Sequence, residues 1–118
     1  MEHQKQDEIR ELIRSNKVNK NLNTLHQNRH VPDSGAYIKG RSYLFNEIDP
    51  ITLIEQYHGT GNIKFSESGN WVNKEFITLD TDIGIHIEQK TGRQTATNSF
   101  GIHYSKKGAH IVPSRRQE

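Results

Sequence analysis

The sharpest alternation of apolar and polar positions closes the chain. Phe100, Ile102 and Tyr104 alternate with Gly101, His103 and Ser105, a period of two that puts one set on each face of a strand. Gly108 offers the positive φ of a tight turn, and Ile111 and Val112 resume the β pattern. The stretch 100–113 therefore predicts a hairpin with Lys107-Gly108 as its two-residue loop. That register pairs Ser105 with His110, Tyr104 with Ile111 and His103 with Val112. Phe100, Ile102, Tyr104, Ala109, Ile111 and Pro113 then share the core face, and His103, Ser105 and His110 share the other. Diagonal cross-strand neighbours lie roughly 7–8 Å apart, close enough for two imidazoles to flank one phosphate. A three-residue loop pairing Ser105 with Ala109 turns His110 away from His103. The two-residue loop is preferred because it keeps both apolar sets together.

Upstream, Ile9, Leu12 and Ile13 fall at i, i+3, i+4 and predict a surface helix over 3–16, an amphipathic arm. Residues 15–30 hold five asparagines with little periodicity, and they predict a linker or extended loop. Val31-Pro-Asp-Ser-Gly35 is turn chemistry. Asp49 as N-cap, Pro50 at the first helical position and Gly59 past the end delimit a second helix. Its buried stripe is predicted as Ile51, Ile54 and Tyr57, widened by Leu53. From Gly61 onward the text turns to β: Ile63 and Phe65 alternate, 71–79 is a longer strand, and Ile83, Ile85 and Ile87 alternate with polar positions. The expected fold is α+β, with N-terminal helices packed on one face of a four- to five-stranded antiparallel sheet. The expected organisation is a helical arm and linker over 1–21, a domain over 22–113 and a frayed tail over 114–118.

Composition adjusts this picture in three places. Only 31% of the 118 residues are hydrophobic and mean hydropathy is −0.91, so part of the chain is expected to be solvated. There is no apolar run of ~18 residues and no apolar segment behind Met1, so neither a membrane span nor a signal peptide is expected. The expected location is the cytoplasm of a producing or target cell. The chain has no cysteine, a formal charge of +2 and seven histidines. Without a cysteine partner or an HExxH-type spacing the histidines do not spell a zinc site, and no metal or cofactor is expected.

The chemistry that two histidines on one face suit is RNA cleavage by attack of a 2′-OH on its own phosphate. That reaction needs a base, an acid and a cation, and histidine with its pKa near 6.5 can fill the first two roles. A bell-shaped pH–rate profile around neutrality is the expectation. Lys74 and Glu75 are adjacent and point to opposite faces of a regular strand, so only one can join the histidines unless a bulge intervenes. A serine-hydrolase reading of Ser105 lacks a G-x-S-x-G elbow. Gly59-Thr-Gly61 lacks the remainder of a phosphate loop.

Several spaced motifs go further. Asn28-Arg-His30, Tyr37-Ile-x-Gly-Arg-Ser-Tyr-Leu44, Tyr57-x-Gly-Thr-Gly61, Trp71-x-Asn-Lys-Glu75, Asp82-Ile-Gly84, Thr97-Asn98 and Ile102-His-Tyr-Ser-Lys-x-Gly-x-His-Ile-Val-Pro113 together resemble the polymorphic toxin type 50 domain over about residues 22–113. That domain occurs at the C-terminal tip of bacterial secreted toxins and of phage head-morphogenesis proteins. It is grouped with barnase/EndoU/colicin/RelE-like metal-independent ribonucleases. The resemblance implies such a fold and an endoribonuclease toxin. Its polar matches are His30, Arg41, Ser42, Lys74, Glu75, His103, Tyr104, Ser105, Lys106 and His110. Among them His103 and His110 are the candidate base and acid. Arg41 and Lys74 are candidates for stabilising the transition state, and Glu75 for orienting or replacing a histidine. His30, Ser42, Tyr104, Ser105 and Lys106 are candidate substrate contacts, His30 and Lys106 through phosphates. The implied partners are an RNA substrate and a cognate immunity protein. The alternative is a non-enzymatic phage or mobile-element module that binds protein or nucleic acid with the same face.

Overall fold

The computed structural model of the chain describes residues 2–117. Among them lie three helices, α1 (Glu2–Arg14), α2 (Thr24–Asn28) and α3 (Pro50–Tyr57), and seven strands. The class is α+β, but the strands form two antiparallel sheets instead of one meander. The larger has the order β2 (Asn62–Phe65), β3 (Trp71–Thr78), β6 (Ser99–Ser105), β7 (Gly108–Pro113). The smaller has the order β1 (Tyr43–Leu44), β4 (Gly84–Ile87), β5 (Gln94–Thr97). β1 and β5 escape a reading by alternation because one is two residues long and the other reads Gln-Thr-Ala-Thr. Both are strands because β4 pairs with them, which is tertiary context overriding propensity.

The terminal hairpin forms with a corrected register. Ser105 pairs with Gly108, Tyr104 with Ala109, His103 with His110 and Ile102 with Ile111, so the loop is Lys106-Lys107. The shift from the expected pairing is two residues, and a shift of two keeps every side chain on its face. Phe100, Ile102, Ala109 and Ile111 are fully buried, with Tyr104 and Pro113 beside them. Gly108 works differently from the expectation. It sits after the loop at φ +125, where a Cβ would come within 2.4 Å of the Asn21 carbonyl oxygen. Its missing side chain admits another backbone.

That backbone belongs to the asparagine-rich stretch, which is not a free linker. Asn23 N–H donates to the Ala109 carbonyl and Ala109 N–H donates to the Asn21 carbonyl, each at 2.8 Å. Asn23 then caps α2 by accepting from His26 N–H. From α2 the fully buried Gln27 amide clasps Ile111, donating to its carbonyl at 3.0 Å and accepting from its N–H at 2.6 Å. Residues 21–27 thereby satisfy the outer edge of β7 as a surrogate strand, a recognised protection for exposed sheet edges.

α3 begins as expected, with the Asp49 carboxylate accepting from Ile51 N–H at 2.9 Å and Pro50 at the first position. Its buried residues are Leu53 and Ile54, whereas Ile51 is 46% exposed, so the stripe is narrower and rotated. Past its end, Gly59 turns at φ +74 and the chain passes over Glu75. This carboxylate is fully buried. It accepts from the backbone N–H groups of Gly59 and Gly61 at 2.9 Å and of Thr60 at 3.2 Å, and from the Tyr104 hydroxyl at 2.8 Å. Four donors on one carboxylate make burial of its charge tolerable.

α1 holds the same loop from outside. Arg14 donates to the Gly59 carbonyl and Arg10 to the Gly61 carbonyl at 2.8 Å, while Ile63 N–H donates to the Gln6 side chain. Ile13 is fully buried in the main core cluster. The helix expected as an amphipathic surface arm therefore also completes the core. The tail is likewise tied down. Ser114 N–H donates to the Ser99 carbonyl, Asn98 and Gln117 exchange two hydrogen bonds, and Arg116 pairs with Asp82.

Two variants test this frame. Ile13→Ala should cost ~2–5 kcal/mol, the range for truncating a buried Ile, read as a lower urea midpoint at unchanged slope. Glu75→Gln keeps the shape but turns two acceptors into one acceptor and one donor facing N–H groups, so it should destabilise by about 2 kcal/mol or more. Wild-type midpoints in either variant would mean that the helix or the carboxylate is peripheral.

Candidate functional site: a histidine cluster on the open face of the larger sheet

On the face of the larger sheet opposite Glu75, the strand registers line up one row. Lys74 of β3 stands across from His103 of β6, which stands across from His110 of β7. The His103 and His110 rings lie 5.0 Å apart, centroid to centroid, nearly edge to face. Next along β6, Gly101 leaves the space that His103 occupies, since a Cβ there would sit 3.1 Å from His103 Nε2 and 3.0 Å from the Phe76 ring. Lys64 of β2 lies over the Phe76 ring at 5.8 Å, a cation–π distance.

The surrogate strand adds two more imidazoles. The clasp of Gln27 on Ile111 sets α2 beside β7, and His26 and His30, one on either side of Gln27, come to rest 5.3 Å and 6.0 Å from the His110 ring. His30 is buried and its Nδ1 lies 2.8 Å from the Ser42 carbonyl. A carbonyl can only accept, so Nδ1 carries the proton and Nε2 of neutral His30 is left as an acceptor. Among the described residues no three His, Asp or Glu side chains converge with metal-ligand geometry; the rings stack and tilt on one another instead.

The field at this cluster is cationic. Burial pushes the His103 imidazole down to about 3, helped by His110, Lys74 and His30. Burial likewise takes His110 down to about 4, helped by His30, His26, Arg29 and Lys74. His30 is lowered by burial against the opposing pull of its Ser42 hydrogen bond, with Arg41 and Arg29 adding to the depression. Every charge acting on these rings is positive. At neutral pH His103, His110 and His30 are neutral imidazoles framed by Lys74, Arg29 and Arg41. The site is a place for an anion, whose charge favours protonating a ring.

The other expected site residues are distributed as follows. Glu75 is on the core face with its neighbours Ile77 and Ile102, and it does not meet the histidines. Tyr104 is buried and its hydroxyl is committed to Glu75, a bond that with burial raises its pKa. Ser42 is buried; its Oγ accepts from Ile87 N–H at 2.9 Å and its carbonyl holds His30, so it positions a histidine instead of facing substrate. Ser105 shares the histidine face, but its hydroxyl closes the hairpin turn, donating to the Gly108 carbonyl and accepting from Lys107 N–H. Lys106 is exposed at the hairpin tip and Arg41 is exposed near His30. His26 and Arg29 belong to the cluster and were not expected there. His26 is on α2 and Arg29 is its C-cap, so recognising this short helix would have brought both into view.

These shifts carry a stability consequence. The folded values for His103, His110 and His30 lie below the unfolded value of about 6.5. Above that value both states are neutral and nothing is lost. As pH falls through 6.5 the unfolded chain takes up protons that the folded chain refuses, so stability declines until the folded values are reached. The melting temperature should fall between pH 7 and pH 4.5, and His103→Gln/His110→Gln should flatten that fall. Parallel curves for the two proteins would contradict the depressed values.

Comparison with known proteins assigns the chain at family level. No curated protein matches it, but the family model described as Bacterial toxin 50 matches residues 22–113, which takes in the whole histidine row and α2 and leaves α1 outside. The chain thus belongs to the Bacterial toxin 50 family.

Proposed function

We propose that this toxin-family domain is a metal-independent endoribonuclease of the barnase/EndoU/colicin/RelE-like kind, cutting single-stranded RNA by transphosphorylation at the histidine row. The observation that carries the reading is the row itself, Lys74–His103–His110, with two imidazoles in contact inside a wholly cationic frame. One of the pair takes the proton of the 2′-OH as its oxygen attacks phosphorus. The other returns a proton to the departing 5′-oxygen. The products are a 2′,3′-cyclic phosphate and a free 5′-hydroxyl, with protons balanced. Lys74, with Arg41 and Arg29 at the border, stabilises charge on the phosphorane. His30, held by Ser42, shapes the site through its stack on His110 and offers Nε2 to the phosphate when protonated. An immunity protein of acidic surface is the partner expected to mask this face.

The depressed histidines change the expected pH dependence. A mechanism of one acid and one base requires one ring of the pair to be protonated, and in the free site both His103 and His110 are neutral at pH 7. The bound phosphate supplies the charge that protonates one of them. Since kcat/KM reports the free enzyme, it should rise roughly ten-fold per unit as pH falls from 7 toward about 4. A bell centred on neutrality belongs to kcat at most.

His103→Ala and His110→Ala should each lower the cleavage rate by roughly 10²–10⁴ with the fold retained by circular dichroism. Cleavage of total RNA by the wild type should persist in EDTA and leave cyclic phosphate ends. Loss of activity in EDTA with recovery on adding a divalent ion would reject the mechanism. So would intact RNA at every pH from 4 to 8.

A further inference from the structure

Past Lys74 the end of the larger sheet opens into a cavity whose aromatic wall, Trp71 on Tyr104, is on the core side and whose rim, at Ser105, reaches the histidine face. β3 pairs with β6 only as far as Lys74↔His103. The preceding residue, Asn73, turns at φ +64, the only non-glycine with positive φ among the described residues, a conformation that Asn accepts more readily than most side chains. After this kink Trp71 folds back, its Nε1 donating to the Lys74 carbonyl at 3.0 Å and its ring packing on Tyr104 at 5.8 Å. On the opposite side, the segment between α1 and α2 passes the hairpin tip, where the Asn19 amide donates to the Lys106 carbonyl at 3.1 Å. A cavity of about 430 Å³ lies between, lined by Trp71, Tyr104, Asn73, Asn19, Lys17 and Lys106. Its size is that of a small-ligand site.

The lining has a specific chemistry. It offers an indole partly open to solvent, two side-chain amides and two exposed lysines, and no carboxylate. An aromatic surface flanked by cations is how proteins hold unpaired bases and their phosphates. The cavity is also placed for it. Asn73 adjoins Lys74, and Ser105, at the rim, stands two residues along β6 from His103 on the same face, about 7 Å away.

We infer that this cavity is a subsite for the nucleotide next to the scissile phosphate, an inference that rests on the ribonuclease reading above. The base stacks on Trp71, its polar edge meets the Asn73 amide, and its outer phosphate lies between Lys17 and Lys106. Lys17 and Asn19 precede the matched residues 22–113, so part of the subsite comes from outside the family's common segment.

Trp71 is the only tryptophan, so its emission reports on this cavity alone. The full chain is titrated with a dye-labelled 2′-O-methyl RNA hexamer, which cannot be cleaved by 2′-OH attack, following dye anisotropy and Trp emission together. The expected result is quenching that tracks anisotropy. Lys17→Glu/Lys106→Glu should weaken binding about ten-fold or more with an unchanged melting temperature. Asn73→Gly, which keeps the backbone turn and removes the amide, should alter the ranking of oligo-A, -C, -G and -U hexamers. Anisotropy binding with unchanged Trp emission and wild-type affinity in the double lysine variant would overturn the subsite and leave the ribonuclease reading standing. No binding by anisotropy and no RNA cleavage would overturn both.

Discussion

A single buried carboxylate carries the middle of this fold. Glu75 reaches from β3 to the turn after α3, collects three backbone N–H groups, and takes the Tyr104 hydroxyl from the neighbouring strand. A charge in the interior is costly unless it is fully hydrogen-bonded, so the turn 59–61 is fixed relative to the sheet by the demand of that charge. The glycines make this possible. At Gly61 a Cβ would lie 2.6 Å from the Phe76 carbonyl and 3.0 Å from the carboxylate it serves. With the inner side of the turn taken by Glu75, its outward carbonyls of Gly59 and Gly61 are left for Arg14 and Arg10. One carboxylate thus orders α3, β3, β6 and α1 around a common point.

The same strand separates the buried anchor from the histidine row by parity alone. Glu75 faces the core and its neighbour Lys74 faces the histidines. Likewise Tyr104 faces Glu75 while His103 beside it faces Lys74. Each side chain of the row Lys74–His103–His110 is therefore one peptide away from a buried anchor.

Much of this was legible in the residues. The alternation over 100–105 and 109–113 identified both faces of the hairpin, and a two-residue error in register left them intact because the strand period is two. The Asp49-Pro50 start of α3 could be read because capping is local. What escaped was non-local. Nothing within Asn21 to Gln27 announces that its backbone and one amide will line the edge of β7, eighty-four residues away. Nor does Glu75 differ in sequence from a solvated glutamate. α1 looked separable because its one decisive residue, Ile13, belongs to an apolar stripe of only three.

The clasp of α2 on β7 has a further meaning for how the protein tolerates change. Gln27 blocks the hydrogen-bonding edge of the larger sheet, and the same short helix brings His26 and His30 against His110. Loosening it uncovers a strand edge to which another chain can add, while also dispersing the imidazole cluster. Solubility and the site's electrostatics are thus under one lock, and drift in this five-residue helix is penalised twice over.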